Sequence, residues 1–355
     1  MQTTEIAVDE KSESNDRALK RAVIDCDIHH FTGLKAFQPY LPRAYAEFMS
    51  TYGSALPGGT PYGGAASSAS DLATLQEKHL DPNQITYGIL TGESYGMQGI
   101  GNFDYAAAIC SAINDYTLEH WLSQDKRLKG SLIVTKQAPH LAAQEIDRMA
   151  ESGAWAQVLV SNGAHMPYGN RYYDPIYEAC VRHNLPLMIH AGMEGAGINT
   201  PTTGAGYVTH LTEWRAARTQ AMMAHLASFI FEGTFERFPD LRVVLNEGGA
   251  FWIAPYLWRL DIDWKSLRVQ TPWVNKLPSE YFRIHFRVTT QSLEKTPNDD
   301  VFQPYMDSIY AKDTMMFCSN YPYQEFTAQL ESWPKMDEAL LDRLFYTNAA
   351  ELYRL

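Results

Sequence analysis

Eight short apolar runs, set apart by longer stretches of helical periodicity, recur from Arg21 to the last residue, and no other feature limits the fold so tightly. The runs are AVIDCDI (22–28), ITYGIL (85–90), LKGSLIV (128–134), AQVLVS (156–161), PLMIHA (186–191), LRVVLN (241–246), FRIHFRVTT (282–290) and TMMFCS (314–319). Several are apolar throughout rather than alternating, as parallel strands covered on both faces are. Helical stretches lie between them, among them 104–124, 139–153, 174–184, 213–238 and 336–355. At RFPDLRVVL, Pro239 and Asp240 stop a helix just before a strand opens. Eight strands, most followed by a helix, predict an α/β fold, a (β/α)8 TIM barrel forming one domain over 21–355.

Two segments stand apart from that rhythm. Residues 1–20 are polar and read as a solvated arm, with packing on a partner subunit as one role for it. Residues 53–70, GSALPGGTPYGGAASSAS, carry too much Gly, Ser and Pro to form an element. They follow the first strand, where barrel active-site loops sit, so they read either as a lid or as a surface excursion. The net charge of −12, with no basic run, argues against nucleic acid and anionic membrane as partners. No apolar run reaches the length of a membrane span, and the N-terminus lacks the apolar core of a signal peptide. The four cysteines are far apart with no CxxC spacing, which argues against a structural zinc or disulfide framework and fits a reducing cytoplasm.

Active-site residues of a barrel collect at the C-terminal ends of its strands. Those ends hold Asp25, Asp27 and His29 on strand 1, His190 on strand 5, and Asn246 and Glu247 on strand 6. Strand 7 carries His285 and Arg287, and strand 8 ends in Ser319 and Asn320. Alternation predicts one shared face for Asp25, Asp27 and His29. A carboxylate and two imidazoles, Asp27, His29 and His190, suit a catalytic metal that keeps three protein ligands and an open position. Each has a plainer reading. Asp27 and His29 can be a buried pair bracing a loop, and His190 a core histidine. Asp25 sits deeper and serves equally as a structural anchor, and His30 faces the other side of the strand. Glu247 can cap a helix N-terminus, although the Gly-Gly that follows lets the backbone approach a ligand closely. Arg287 fits a bidentate clamp on a substrate carboxylate as well as a salt bridge to a barrel acid. His165 in the loop after strand 4, and Tyr321 and Tyr323 after strand 8, are further pocket candidates. His225 reads as helix packing, and Trp252, Trp258 and Trp264 as packing or a subunit interface.

Together VIDCDIHH, AINDYTLEHWLSQDKRLKGSLIV, YGNRYYDPIYEACVRHNLPLMIHAG, FERFPDLRVVLNEGGAFWIAPYLWRLD, SNYP and NAAELYRL resemble the amidohydrolase-related family. That family includes aminocarboxymuconate-semialdehyde decarboxylase and gamma-resorcylate decarboxylase. The likeness runs over nearly all of 22–355. It implies a (β/α)8 barrel with one divalent metal, zinc or manganese, a small carboxylated substrate, and a dimer or larger homo-oligomer. There are departures. Asp27-x-His29 stands where the family commonly has HxH, and Glu247 where its decarboxylases commonly have a catalytic histidine. Asn320 replaces the aspartate of the usual SDYP, and an amide can lend a carbonyl oxygen to a metal but cannot act as a base.

With these residues, the resemblance implies an enzyme acting on a small, cyclic or aromatic, carboxylated substrate by metal-assisted decarboxylation or hydrolysis. Asp27, His29 and His190 would hold the ion, Glu247 or Asn320 would complete the shell, and Glu247 would carry the proton. The alternative on the same scaffold is a metal-free acid/base enzyme, a cyclase, dehydratase or isomerase, using Asp27, His29, His190 and Glu247. A third reading is a barrel that binds a small molecule without turnover.

Overall fold

The computed structural model describes residues 21–30, 33–54, 71–92, 96–324, 326, 330, 333–334 and 336–355. The arm expected over 1–20, and all but Gly53 and Ser54 of the expected loop 53–70, lie outside them. Eight strands form one parallel sheet in chain order. They are β1 Val23–Ile28, β2 Ile85–Leu90, β3 Leu128–Ile133, β4 Trp155–Ser161, β5 Leu187–His190, β6 Val243–Asn246, β7 Phe286–Thr289 and β8 Met315–Met316. The sheet closes where Cys26 N donates to Phe317 O at 3.0 Å and His29 N to Tyr321 O at 2.8 Å. This is the expected (β/α)8 barrel.

The helices used below are α1 Arg43–Tyr52, α2 Phe103–Thr117, α3 Pro139–Ala150, α4 Asp174–His183, α5 Leu211–Phe231, α6 Ile253–Leu267, α7 Pro278–His285, α8 Phe302–Ser308 and α9 Asn348–Tyr353. Local chemistry sets their ends. Asn102 accepts from Tyr105 N at the start of α2, and Pro139 opens α3, where its missing N–H leaves no bond unmade. Asn184 takes the left-handed conformation that stops α4. Two apolar layers cover the strands. Ile24, Cys26, Ile89, Leu159, Met188, Val244 and Met316 fill the barrel interior, with Ala349 and Tyr353 of α9 packed against them. A larger cluster lies between strands and helices. Burial on both sides is why the runs are apolar throughout.

Two expectations need correction. The run 282–290 alternates apolar and polar residues as a strand does, yet its first half is helical. Pro278 and Glu280, whose carboxylate accepts from Leu277 N at 2.8 Å, start α7, which absorbs His285 before β7 opens. On β1, a register shift falls between Asp25, paired with Gly88, and Ile28, paired with Leu90. Such an irregularity re-aims side chains, and Asp25 and Asp27 do not share partners. Among the described residues, no helix is long and apolar enough to cross a membrane.

Candidate metal centre and active site

Asp25 and Asp27 part company at the β1 irregularity. Asp25 turns to a buried brace: Ser319 Oγ donates to its Oδ2 at 2.5 Å and His79 Nε2 lies 2.7 Å from the same oxygen. Asp27 meets the ends of β5 and β6. Thr91 Oγ1 donates to Asp27 Oδ1 at 2.5 Å and Asn246 Nδ2 to Oδ2 at 2.7 Å. Asn246 is itself held by Thr289 Oγ1, which donates to its Oδ1 at 2.5 Å. A chain of three side chains from β6, β7 and the end of β2 thus fixes the Asp27 carboxylate.

The two histidines converge on it. His29 Nε2 lies 3.5 Å from Asp27 Oδ1, and His190 Nε2 3.4 Å from Oδ2. His29 Nδ1 contacts Gly92 O at 2.6 Å and His190 Nδ1 contacts Ala191 O at 2.8 Å. A carbonyl can only accept, so each Nδ1 carries a proton, and each Nε2, turned inward, is the atom that would ligate a metal once deprotonated. Glu247 completes the group: Asp27, His29, His190 and Glu247 each offer a ligand atom, all within 4.8 Å of one another. Metal–ligand bonds of about 2.1 Å place ligand atoms roughly 3.4–4.2 Å apart, so a small contraction closes this set around one ion. The buried His29 Nε2 has no hydrogen-bond partner among the described residues, as a ligand atom awaiting an ion would. The residues therefore fit a divalent metal, with nitrogen and oxygen donors only.

The electrostatics agree. Burial alone would lower the His190 pKa, but the Asp27 carboxylate, with Glu247 and the Ala191 carbonyl, raises it to about 9. Burial likewise works against the Asp27 anion, yet the charges of His29 and His190 and the Thr91 hydroxyl hold it well below the usual carboxylate range. Without metal His190 holds its proton near neutral pH, and a cation would replace that charge.

The turns beside the cluster are unusual. Glu247 and Asn320 both have positive φ, 60° and 57°, a region rare outside glycine and often found at functional sites. A Cβ at Gly248 would fall 2.1 Å from Met222 Sδ, so any residue but glycine directly after Glu247 would require the Met222 side chain to move. Glu247 does not cap α6, whose N-cap Trp252 makes no side-chain cap bond; Glu294 instead holds the turn before it, accepting from Ala250 N at 2.9 Å and Phe251 N at 3.1 Å. Asn320 N donates to Asp27 O at 3.1 Å, and the buried Asn320 Oδ1 has no partner among the described residues. Tyr323 sets its ring edge-on to His29 at 5.0 Å.

Other expected residues lie elsewhere. Arg287 is at the opposite end of the barrel. Its Nη1 donates to Phe286 O at 2.8 Å, and it lines a cavity of roughly 420 Å³ with Arg242, Glu351 and Arg354. It sits at the start of β7, whereas the candidate metal cluster is at the C-terminal strand ends, so it does not clamp a substrate there. Tyr321 stacks on His79 at 4.4 Å. His165 is half-buried against Tyr172 and Tyr173. His285 contacts Leu241 O at 3.0 Å, and burial lowers its pKa to about 4. His30 is buried, with Nε2 3.1 Å from Thr117 Oγ1, and burial lowers its pKa to about 3.

Three charged residues near the site were missed from the sequence. Lys136, two residues beyond Val134, is fully buried, donates to Gly163 O and to Asn199 Oδ1 at 2.9 Å, and is pushed down to about 7 by burial. A lysine closing the apolar run LIVTK was the available signal. Glu194 is buried and raised by that burial, accepting from Asn162 Nδ2 at 2.5 Å and Gly192 N at 3.1 Å. Arg218 on α5 places Nη1 3.5 Å from Glu247 Oε2. The helix period gave no reason to prefer it over Arg215.

The sequence pattern of the Amidohydrolase family matches residues 24–355. A gamma-resorcylate decarboxylase of Polaromonas sp. (strain JS666 / ATCC BAA-500) is 23% identical over 303 residues, 80% of this chain and 88% of that protein. The solved 2,6-dihydroxybenzoate decarboxylase from Rhizobium superposes with a TM-score of 0.70 at 18% identity, over 94% of this chain and 99% of the other. The solved 5-carboxyvanillate decarboxylase from Novosphingobium aromaticivorans, complexed with manganese and 4-hydroxy-3-methoxy-5-nitrobenzoic acid, has a TM-score of 0.70 at 19% identity, over 95% and 97%.

Proposed function

The chain belongs to the amidohydrolase family, and from that premise we propose that it is a metal-dependent carboxy-lyase that removes the carboxyl group of a hydroxylated aromatic acid. The observation that carries this is the four-residue cluster Asp27, His29, His190 and Glu247 at the strand ends, with His29 Nε2 aimed inward and without a hydrogen bond among the described residues. The decarboxylases of aromatic acids among its relatives support the reaction class. Asp27, His29 and His190 would hold the ion, with Glu247 or the amide oxygen of Asn320 beside them. A donor set of nitrogen and oxygen suits manganese or zinc. When bound, the ion supplies positive charge against the electron pair left as the carbon–carbon bond breaks. Thr91 and Asn246 orient the Asp27 carboxylate. Glu247, ionised at rest, would relay a proton from water to the ring carbon that carbon dioxide leaves. Tyr323, edge-on to His29, would flank the ring.

Two further readings accompany it. Trp258 and Ile262, one turn apart on α6 and both exposed, support a homodimer or larger homo-oligomer. Four buried free thiols, Cys26, Cys110, Cys180 and Cys318, support a cytoplasmic setting.

The test pairs metal content, by mass spectrometry on protein purified without chelator, with carbon dioxide release from 2,6-dihydroxybenzoate and 5-carboxyvanillate. About one equivalent of metal is expected, lost together with turnover in the Asp27→Ala, His29→Ala variant. Less than about a tenth of an equivalent, unchanged after manganese and zinc are offered, would move the chain to metal-free acid/base chemistry.

A further inference from the structure

We propose that Arg218 is the residue that recognises the substrate's carboxylate, so that this site selects aromatic acids over the same rings without the acid. This deepens the reading above and rests on it for the substrate class.

Asp27 and Glu247 together balance a divalent cation, and the imidazoles add no charge when Nε2 ligates. An incoming carboxylate then brings an unbalanced negative charge into a site that already holds buried Glu194, in a chain of net charge −12. Among the described residues, Arg218 is the one basic side chain ion-paired with Glu247, at 3.5 Å. That distance exceeds the roughly 2.7–2.9 Å of a tight charge-assisted bond. The other terminal nitrogen, Nη2, donates to the neutral hydroxyl of Ser292 at 3.2 Å. The guanidinium also lies over the Trp214 ring, 5.7 Å from its centroid, and its side chain is 11% exposed. An arginine fixed by a ring and a hydroxyl, but gripping no acid closely among the described residues, is a planar fork prepared for a bidentate anion. Arg287, the arginine whose sequence position suggested this duty, lines the cavity at the far end.

The decisive measurement is calorimetric binding to the manganese-loaded enzyme of two probes, 2,6-dihydroxybenzoate and 1,3-dihydroxybenzene, the same ring without the carboxylate. In Arg218→Met the acid should bind on the order of 10- to 100-fold more weakly while the neutral ring changes less than about threefold. Arg218→Lys, which keeps the charge without the fork, should lose less, and melting curves of both variants verify the fold. Equal weakening of both probes would overturn the proposal by making Arg218 a support for Glu247. So would unchanged binding of both, or a wild type that binds the acid no better than the neutral ring. Arginine-dependent binding of the acid without carbon dioxide release would support the proposal while overturning the decarboxylase reading.

Discussion

Asn246→Ala tests whether the candidate centre is built by the chain of hydrogen bonds that fixes Asp27. Asn246 is fully buried and bridges two groups, donating to Asp27 Oδ2 at 2.7 Å and accepting from Thr289 Oγ1 at 2.5 Å. Truncation leaves one carboxylate oxygen and one hydroxyl buried without these partners. A hydrogen bond to a charged group is worth about 1.5–3 kcal/mol and a neutral one about 1 kcal/mol, so metal-free protein should lose about 3 kcal/mol in urea unfolding. Asn246 is not a candidate ligand, so any change in metal affinity must act through Asp27. Loss of such a supporting partner lowers metal affinity roughly 10- to 100-fold, readable by competition with a chromophoric chelator. The two readouts separate two roles. Lost stability with unchanged metal affinity would refute the claim that Asn246 orients Asp27, and unchanged values of both would refute the hydrogen-bond chain itself.

Glu247→Gln should lower turnover on the order of 100-fold or more with the fold intact by melting curve, and an unchanged rate would remove Glu247 from proton transfer. The raised pKa of His190, about 9, has a definite sign. In metal-free protein its contribution to stability is complete below its unfolded value of about 6.5 and is lost as pH rises through about 9. Because metal must displace that proton, affinity for manganese should climb up to about tenfold per pH unit between about 6 and 8; a flat profile in chelator competition would contradict it. His79→Leu should destabilise the fold by about 3 kcal/mol, because Asp25 is left buried with Ser319 but without its histidine. Chemical denaturation that matches wild type would show the brace to be idle.

Much of this molecule was open to reading from the chain alone. The barrel follows from eight doubly covered apolar runs, a pattern set by local composition, and the ends of β1, β5, β6 and β8 pointed to Asp27, His29, His190, Glu247 and Asn320. Where local pattern misled, a stronger local signal had been overlooked, as with Pro278 and Glu280 turning the alternating run FRIH into helix. Arg287 misled for another reason. Its place on a strand is legible, but the end of the strand it serves depends on where β7 begins. Tertiary structure alone decided the rest. The irregularity in β1 that separates Asp25 from Asp27 arises from pairing with β2, some sixty residues away in the chain. The contact of Asn246 with Asp27 spans 219 positions, and those of Asp25 with His79 and Ser319 span 54 and 294. Arg218 reaches Glu247 only because α5 and the β6 turn meet at one rim of the barrel. Periodicity records which face of an element is buried; it carries no record of which distant side chain will be waiting there, since closure of the barrel brings those ends together.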